Sequence, residues 1–178
     1  IVQKNNCLML VDQHAAHERV IFEALKKRHR TLSIQSQALL VPETLDLTHK
    51  EADLLNSILE DLSRIGIKIE PFGGTTFIVK SIPQLIEKKQ IKPLVLEIIE
   101  SFLETRDPSS KNKWMEDCLI SMACHTAIRA NKAMQTGEME QLLKDLEKCE
   151  NPFHCPHGRP AIVCLDAGQM EKLFKRVV

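Results

Sequence analysis

Residues 12–23, DQHAAHERVIFE, place Asp12, His14, His17, Glu18 and Glu23 directly after the apolar run Cys7-Leu8-Met9-Leu10-Val11. His14 and Glu18 stand at i and i+4, so a helix over them presents an imidazole and a carboxylate from one face. That geometry lets both side chains reach one cation. Asp12 stands beside them at the end of the apolar run. Glu23 is rotated off the shared face and is the weaker ligand candidate, and His17 also points off it and reads as a surface residue. A second donor pair, Cys155 and His157, lies in the loop sequence CENPFHCPHGRP. Thiolate, imidazole and carboxylate are the ligands that zinc accepts. Gly158 and Pro160 shape this loop, and Arg159 can meet a phosphate or brace a carboxylate. The flanking His125 and His154 read as non-ligands, and Cys118 and Cys124, on one helix, read as core. Taken together the spacing points to a metal site assembled from both ends of the chain.

The elements that must position these groups follow from local signals. Residues 1–4 and 7–11 read as strands joined by a turn at Asn5-Asn6. Asp12 caps a helix running to about Arg30, with Ala16, Val20, Ile21, Ala24 and Leu25 as its apolar stripe. KKRHR at the end of that helix complements its dipole, a reading preferred over nucleic-acid binding. LLVPETLDL is extended. Thr48 and Glu51 form a capping box before a helix to about Ile65, with Ala52, Leu55, Leu59 and Leu62 inward and Gly66 as the stop. IKIE, PFGG and TTFIVK make a hairpin, and Pro93 starts a helix to about Thr105. RDPSSKNK is a polar connection. Helices are expected from about Trp114 to Arg129 and from Glu138 to Lys148, followed by the Cys/His loop, a strand AIVCL and a terminal helix GQMEKLFKR. Helices and hairpins are mixed rather than alternating as βαβ units, so the class is α+β.

Composition bounds the function. Lys+Arg and Asp+Glu number 24 each, giving no net charge, whereas domains that bind duplex DNA tightly by themselves are usually basic. Aromatic residues make up 4% with no Tyr, so the core is mostly aliphatic. The six cysteines, Cys7, Cys118, Cys124, Cys149, Cys155 and Cys164, do not form a secreted disulfide pattern and are read as reduced, with Cys7 and Cys164 as small buried hydrophobes. No apolar run long enough to span a membrane is present and no signal peptide is visible. The opening IVQKNN reads like strand interior, so a piece of a longer protein is expected.

These residues also carry a family resemblance. The chain resembles the C-terminal domain of the MutL mismatch repair family in its endonuclease-bearing form. Asp12 through Glu23, Gln13 included, match every fixed position of D-Q-H-A-x-x-E-x-x-x-x-E. SMACHTAIRANK is similar to the family's S-C-K or A-C-R segment, with Cys124 at its cysteine and His125 departing from the usual Lys or Arg. CPHGRP matches outright, with Arg159 inside it. FKR, with Phe174 and Arg176, is similar to a C-terminal F-x-R. QALLVP is similar to the segment Q-x-x-L-[IV]-P that docks on the replication sliding clamp, which would use Gln37, Leu40, Val41 and Pro42. Read without the resemblance, that stretch is an ordinary strand.

The resemblance implies a latent metal-dependent endonuclease that nicks duplex DNA, with His14, Glu18, Cys124, Cys155 and His157 around the metal and Asp12, His14 and Glu18 catalytic. Gln13, Glu23, Arg159, Phe174 and Arg176 would support the site. Zn²⁺ would organise it, Mn²⁺ or Mg²⁺ would drive turnover, and ATP would bind only in the parent protein's N-terminal domain. The implied partners are a second copy of the chain, the sliding clamp, a mismatch-recognition protein and DNA, the last bound weakly by this domain alone. The implied setting is the bacterial cytoplasm, at the nucleoid. The implied architecture is a dimerisation lobe over residues 1–36 and 111–178, with a regulatory lobe over 37–110 inserted. The alternative is a non-catalytic, zinc-stabilised module for dimerisation and clamp binding. A zinc peptidase is disfavoured, because HAAHE is neither H-E-x-x-H nor H-x-x-E-H.

Overall fold

A computed structural model describes residues 1–4, 7–31, 34–104, 111–127 and 133–176. In chain order the elements are β1 (Val2–Lys4), β2 (Cys7–Val11), α1 (Gln13–Arg30), β3 (Ser36–Asp46), α2 (His49–Arg64), β4 (Lys68–Gly73), β5 (Thr76–Pro83), a 3-10 turn (Lys88–Gln90), α3 (Ile91–Glu104), α4 (Lys111–Thr126), α5 (Thr136–Glu147), β6 (Ile162–Asp166) and α6 (Ala167–Leu173). The class is α+β, with helices set against antiparallel sheets. The chain divides into two compact units, residues 1–23 with 127–178 and residues 24–126, so the division falls inside α1. The turn residues Asn5 and Asn6, most of RDPSSKNK and the expected helix end at Arg129 lie outside the described residues.

In the first unit the sheet order is β1-β2-β6, so the strand that leads into α1 is central. Alternation along β2 gives its two faces different neighbours. Val11 and Ile162 pack with Ala16, Leu142 and Leu146, the last two from α5. The opposite face pairs Leu8 with Leu165 and Leu10 with Val163 across the strands. Leu10 stays 38% exposed and Val163 47% exposed there. Cys7 is half-buried and Cys164 exposed, which corrects the expectation that both are buried: Cys164 sits on β6, at the edge of the sheet.

The second unit carries the larger core. Its sheet has the order β3-β5-β4. Leu45, Leu55, Leu62, Ile65, Phe77, Val79, Ile82, Leu94, Val95, Ile98, Ile99 and Trp114 are all 2% exposed or less. Trp114 meets Phe102 edge-to-face at 5.1 Å, the arrangement the ring quadrupoles favour. The capping box forms as the sequence indicates: the Glu51 amide donates to Thr48 Oγ1 and the Thr48 amide to Glu51 Oε2. Gly66 follows α2 at φ +87°, a left-handed value open to glycine.

Two side-chain expectations change. Ile58, not Leu59, is fully inward on α2: both positions fit helical spacing beside Leu55 and Leu62, and the buried stripe turns toward the Ile58–Asp61 side, leaving Leu59 half-buried. On α1 Ala24 is exposed, and Val20 and Ile21 are half-buried, while Ala15, Ala16, Phe22 and Leu25 form the buried set. Lys26, in the basic run, makes an ion pair with Glu116 at 2.6 Å. β3 is not a plain strand: its pairing with β5 shifts between Ala38 and Glu43, and Leu40 and Val41 in that gap are 103% and 66% exposed.

Candidate metal centre

The start of α1 is built by one carboxylate. Asp12 Oδ1 accepts from the His14 amide at 2.9 Å and the Ala15 amide at 3.1 Å, two of the donors a helix N-terminus leaves unsatisfied. The Asp12 amide donates to the Ala161 carbonyl at 3.0 Å, so the helix start is tied to the end of the CPHGRP loop. One turn on, Glu18 is 3% exposed. Its Oε1 lies 3.1 Å from His14 Nε2 and its Oε2 3.6 Å from His157 Nδ1. A buried carboxylate is costly unless opposite charge or hydrogen bonds meet it, and here each oxygen faces a different imidazole. His14 and His157, two of the residues singled out in the sequence, thus each face the Glu18 carboxylate, through different oxygens. Imidazole and carboxylate are both ligand types that divalent cations accept, and Glu18 offers one oxygen toward each imidazole. His17, next on the helix, is half-buried, and burial, then the neighbouring His14, hold its imidazole below the ordinary range.

The loop that brings His157 is closed on itself. The Cys155 amide donates to the Arg159 carbonyl at 2.8 Å, the Gly158 amide to the Cys155 carbonyl at 2.9 Å, and the Ala161 amide to the Phe153 carbonyl at 2.8 Å. Gly158 takes φ +85°, which lets the turn reverse. Cys155 is fully buried with Ala15 and Ala161 in a small apolar cluster. Arg159 is exposed, and Gln13 half-buried. Phe174 and Arg176 follow α6 and are exposed, with the Arg176 amide donating to the Glu171 carbonyl at 3.0 Å.

Sequence reasoning missed Arg19. Only 9% exposed, it lies over the Phe22 ring, 5.6 Å from its centroid. Its Nε donates to the His154 carbonyl at 2.6 Å and its Nη2 to the Cys155 carbonyl at 2.9 Å. Glu23, treated as a weak ligand candidate, faces Arg19 Nη1 at 3.6 Å and accepts from the Glu150 and Asn151 amides at 2.7 and 3.2 Å. The Arg-x-x-x-Glu spacing within residues 19–23 was the available signal.

Cys124 belongs to the second unit, half-buried near the end of α4. Beside it, His125 Nδ1 lies 3.1 Å from Gln90 Oε1 and Nε2 lies 2.9 Å from Glu97 Oε2, while Ser121 Oγ donates to Glu97 Oε1 at 2.6 Å. These contacts fix the end of α4 against α3 and the 3-10 turn. Gln37 and Pro42 are exposed together with Leu40 and Val41.

Comparison with known proteins agrees across the whole chain. Residues 1–134 match the model of the MutL C-terminal dimerisation domain. The chain is similar to the DNA mismatch repair protein MutL of Geobacter sulfurreducens, 38% identical over 99% of this chain and 29% of that protein. It is 36% identical to the protein of the same name from Shouchella clausii, over 100% of this chain and 27% of that one. The Staphylococcus saprophyticus protein of that name is 35% identical over 100% of this chain and 27% of its own length. The chain therefore spans less than a third of the length of these relatives.

Proposed function

The chain belongs to the family of MutL C-terminal dimerisation domains, and we propose that it is a metal-dependent nicking endonuclease for duplex DNA that works as a dimer. The observation that carries this reading is the Glu18 carboxylate, buried with one oxygen on His14 and the other facing His157. The family pattern adds Cys124 and Cys155 to the ligand set, with Zn²⁺ organising the site and Mn²⁺ or Mg²⁺ serving turnover. Divalent ions held by such ligands supply Lewis acidity toward a phosphodiester and its attacking water. The chain's own part is positional. Glu18 and His14 ride on one rigid helix, and His157 comes from a closed loop tied to that helix at Asp12. Asp12 caps α1 through Oδ1, and its carboxylate charge is the part we assign to cleavage.

That division of labour makes Asp12→Asn an informative variant. Asn caps a helix about as well as Asp, so the fold should stand while the charge is removed. In the full-length protein, supercoiled-plasmid nicking in Mn²⁺ should fall by at least roughly 10²-fold, the scale of a lost catalytic group. Nicking at the wild-type rate would remove Asp12 from the mechanism.

The dimer face we assign is the leucine-and-valine side of the first sheet, Leu8, Leu10, Val163 and Leu165. A second copy is its occupant, since the family is one of dimerisation domains and large exposed aliphatics cluster on that face. Delivery to DNA we assign to Gln37, Leu40, Val41 and Pro42, offered as an extended segment to a sliding clamp. A neutral domain gains little phosphate affinity, so tethering to a clamp on DNA would raise local concentration instead, a gain of roughly 10²–10⁴. Replacing Gln37, Leu40 and Val41 with Ala should abolish clamp stimulation of nicking. Full stimulation of the triple variant would reduce QALLVP to a structural strand.

A further inference from the structure

The polar groups under the CPHGRP loop are not ligands of the proposed ion, yet they are among the most thoroughly engaged in the first unit. Arg19 holds two successive carbonyls, those of His154 and Cys155, from one guanidinium. Glu23 takes two successive amides, those of Glu150 and Asn151, with one carboxylate. The two side chains face each other one helical turn apart, and Phe22 covers the guanidinium. Both ends of the segment 150–155 are therefore fastened to the α1 turn that follows Glu18. A planar fork with several fixed donors can do this, and the point charge of a lysine cannot.

We infer that Arg19 and Glu23 are positioning residues: together they fold the 149–160 loop onto α1 before any ion arrives, and so set His157 against Glu18 and hold Cys155 buried. Two features make this more than general packing. The bonds go to backbone atoms, so they fix the path of the loop rather than the identity of its side chains. The Cys155 carbonyl also accepts from the Gly158 amide, which places the Arg19 fork on the same atom that closes the turn carrying His157. Groups that orient metal ligands commonly matter by roughly 10–100-fold in metal affinity. The consequence for metal binding rests on the reading of Glu18 and His157 given above, whereas the folding of the loop does not.

The test separates the two. In the full-length protein without added metal, Arg19→Lys is labelled with a maleimide and the rates at Cys155 and Cys118 are followed by peptide mass spectrometry. Both thiols are buried in the wild type, Cys155 where the loop packs on Ala15 of α1 and Cys118 in the core of the second unit. Release of the loop raises the Cys155 rate by at least roughly tenfold while Cys118 stays at the wild-type rate, as expected for a local opening. An unchanged Cys155 rate overturns the inference, and so does a parallel rise at both thiols in a variant that keeps its circular dichroism. Should Arg19→Lys lose its helical signal, Glu23→Gln decides by the same ratio, because it leaves the Arg19 fork in place and disturbs the amide contacts. Titration with Co²⁺ forms the second arm: each folded variant should bind roughly 10–100-fold more weakly than wild type, with the wild-type spectrum at saturation. If wild type takes up no Co²⁺, the metal reading fails while the labelling ratio still judges the bracket.

Discussion

Residues 24–126 bury Phe77, Trp114 and a continuous set of Leu, Ile and Val. Residues 1–23 with 127–178 bury one aromatic ring, Phe22, and otherwise Ala15, Ala16, Ala127, Leu142, Leu146, Cys155 and Ala161 among the described residues. The first group stabilises itself by removing large apolar side chains from water. The second spends much of its interior on Glu18, Arg19 and the small residues that let a loop lie flat against a helix. It also leaves a leucine-and-valine sheet face at the surface. The two units are thus held by different means: one is a self-contained apolar core, and the other holds polar groups in place by directed bonds.

The sharpest way to break this contrast is to empty a site in the larger core. Phe77→Ala should cost about 3–5 kcal/mol by chemical denaturation, because Phe77 is fully buried on the central strand β5. A loss below about 1 kcal/mol would mean that the core relaxes and is not the rigid member of the pair. A charge on the exposed sheet face probes the other side. Leu10→Glu should weaken self-association by at least roughly tenfold, measured by sedimentation equilibrium, since a carboxylate resists burial. Unchanged association would move the dimer face elsewhere. The smallest effect concerns local structure alone: Thr48→Ala removes one half of the α2 capping box and should cost about 1 kcal/mol in the same denaturation experiment. No change there would show that α2 is held by packing and not by its cap.

Legibility followed the range of the interaction. The Thr48–Glu51 box, the Asp12 cap and the His14–Glu18 pair are contacts within four residues, and sequence spacing reports them directly. The α1 stripe was only half legible, because periodicity alone does not distinguish Ala24, which is exposed, from Phe22, which covers Arg19. For Arg19 the spacing to Glu23 signals only the pair on α1, because its loop acceptors lie 135 and 136 residues away and are backbone carbonyls, which carry no residue-type signature. Cys155 shows a related limit. C-x-H spacing marks it as a donor, but nothing in the spacing says that Ala15 and Ala161 enclose it. The family pattern supplied Cys124, where helical spacing on its own had suggested core.

The irregular middle of β3 has one more consequence. β3 is an outer strand of its sheet, and an outer strand offers unpaired amides and carbonyls to any other chain in extended form. Between Ala38 and Glu43 the ladder is out of register, and Pro42 in that stretch has no amide to donate. The same irregularity that pushes Leu40 and Val41 outward therefore denies a continuous template to a neighbouring molecule. Straightening this stretch, by deleting residues until the ladder runs unbroken, would create a flat, aliphatic border prone to strand-by-strand aggregation. The kink keeps two sticky side chains in view without making the whole edge sticky.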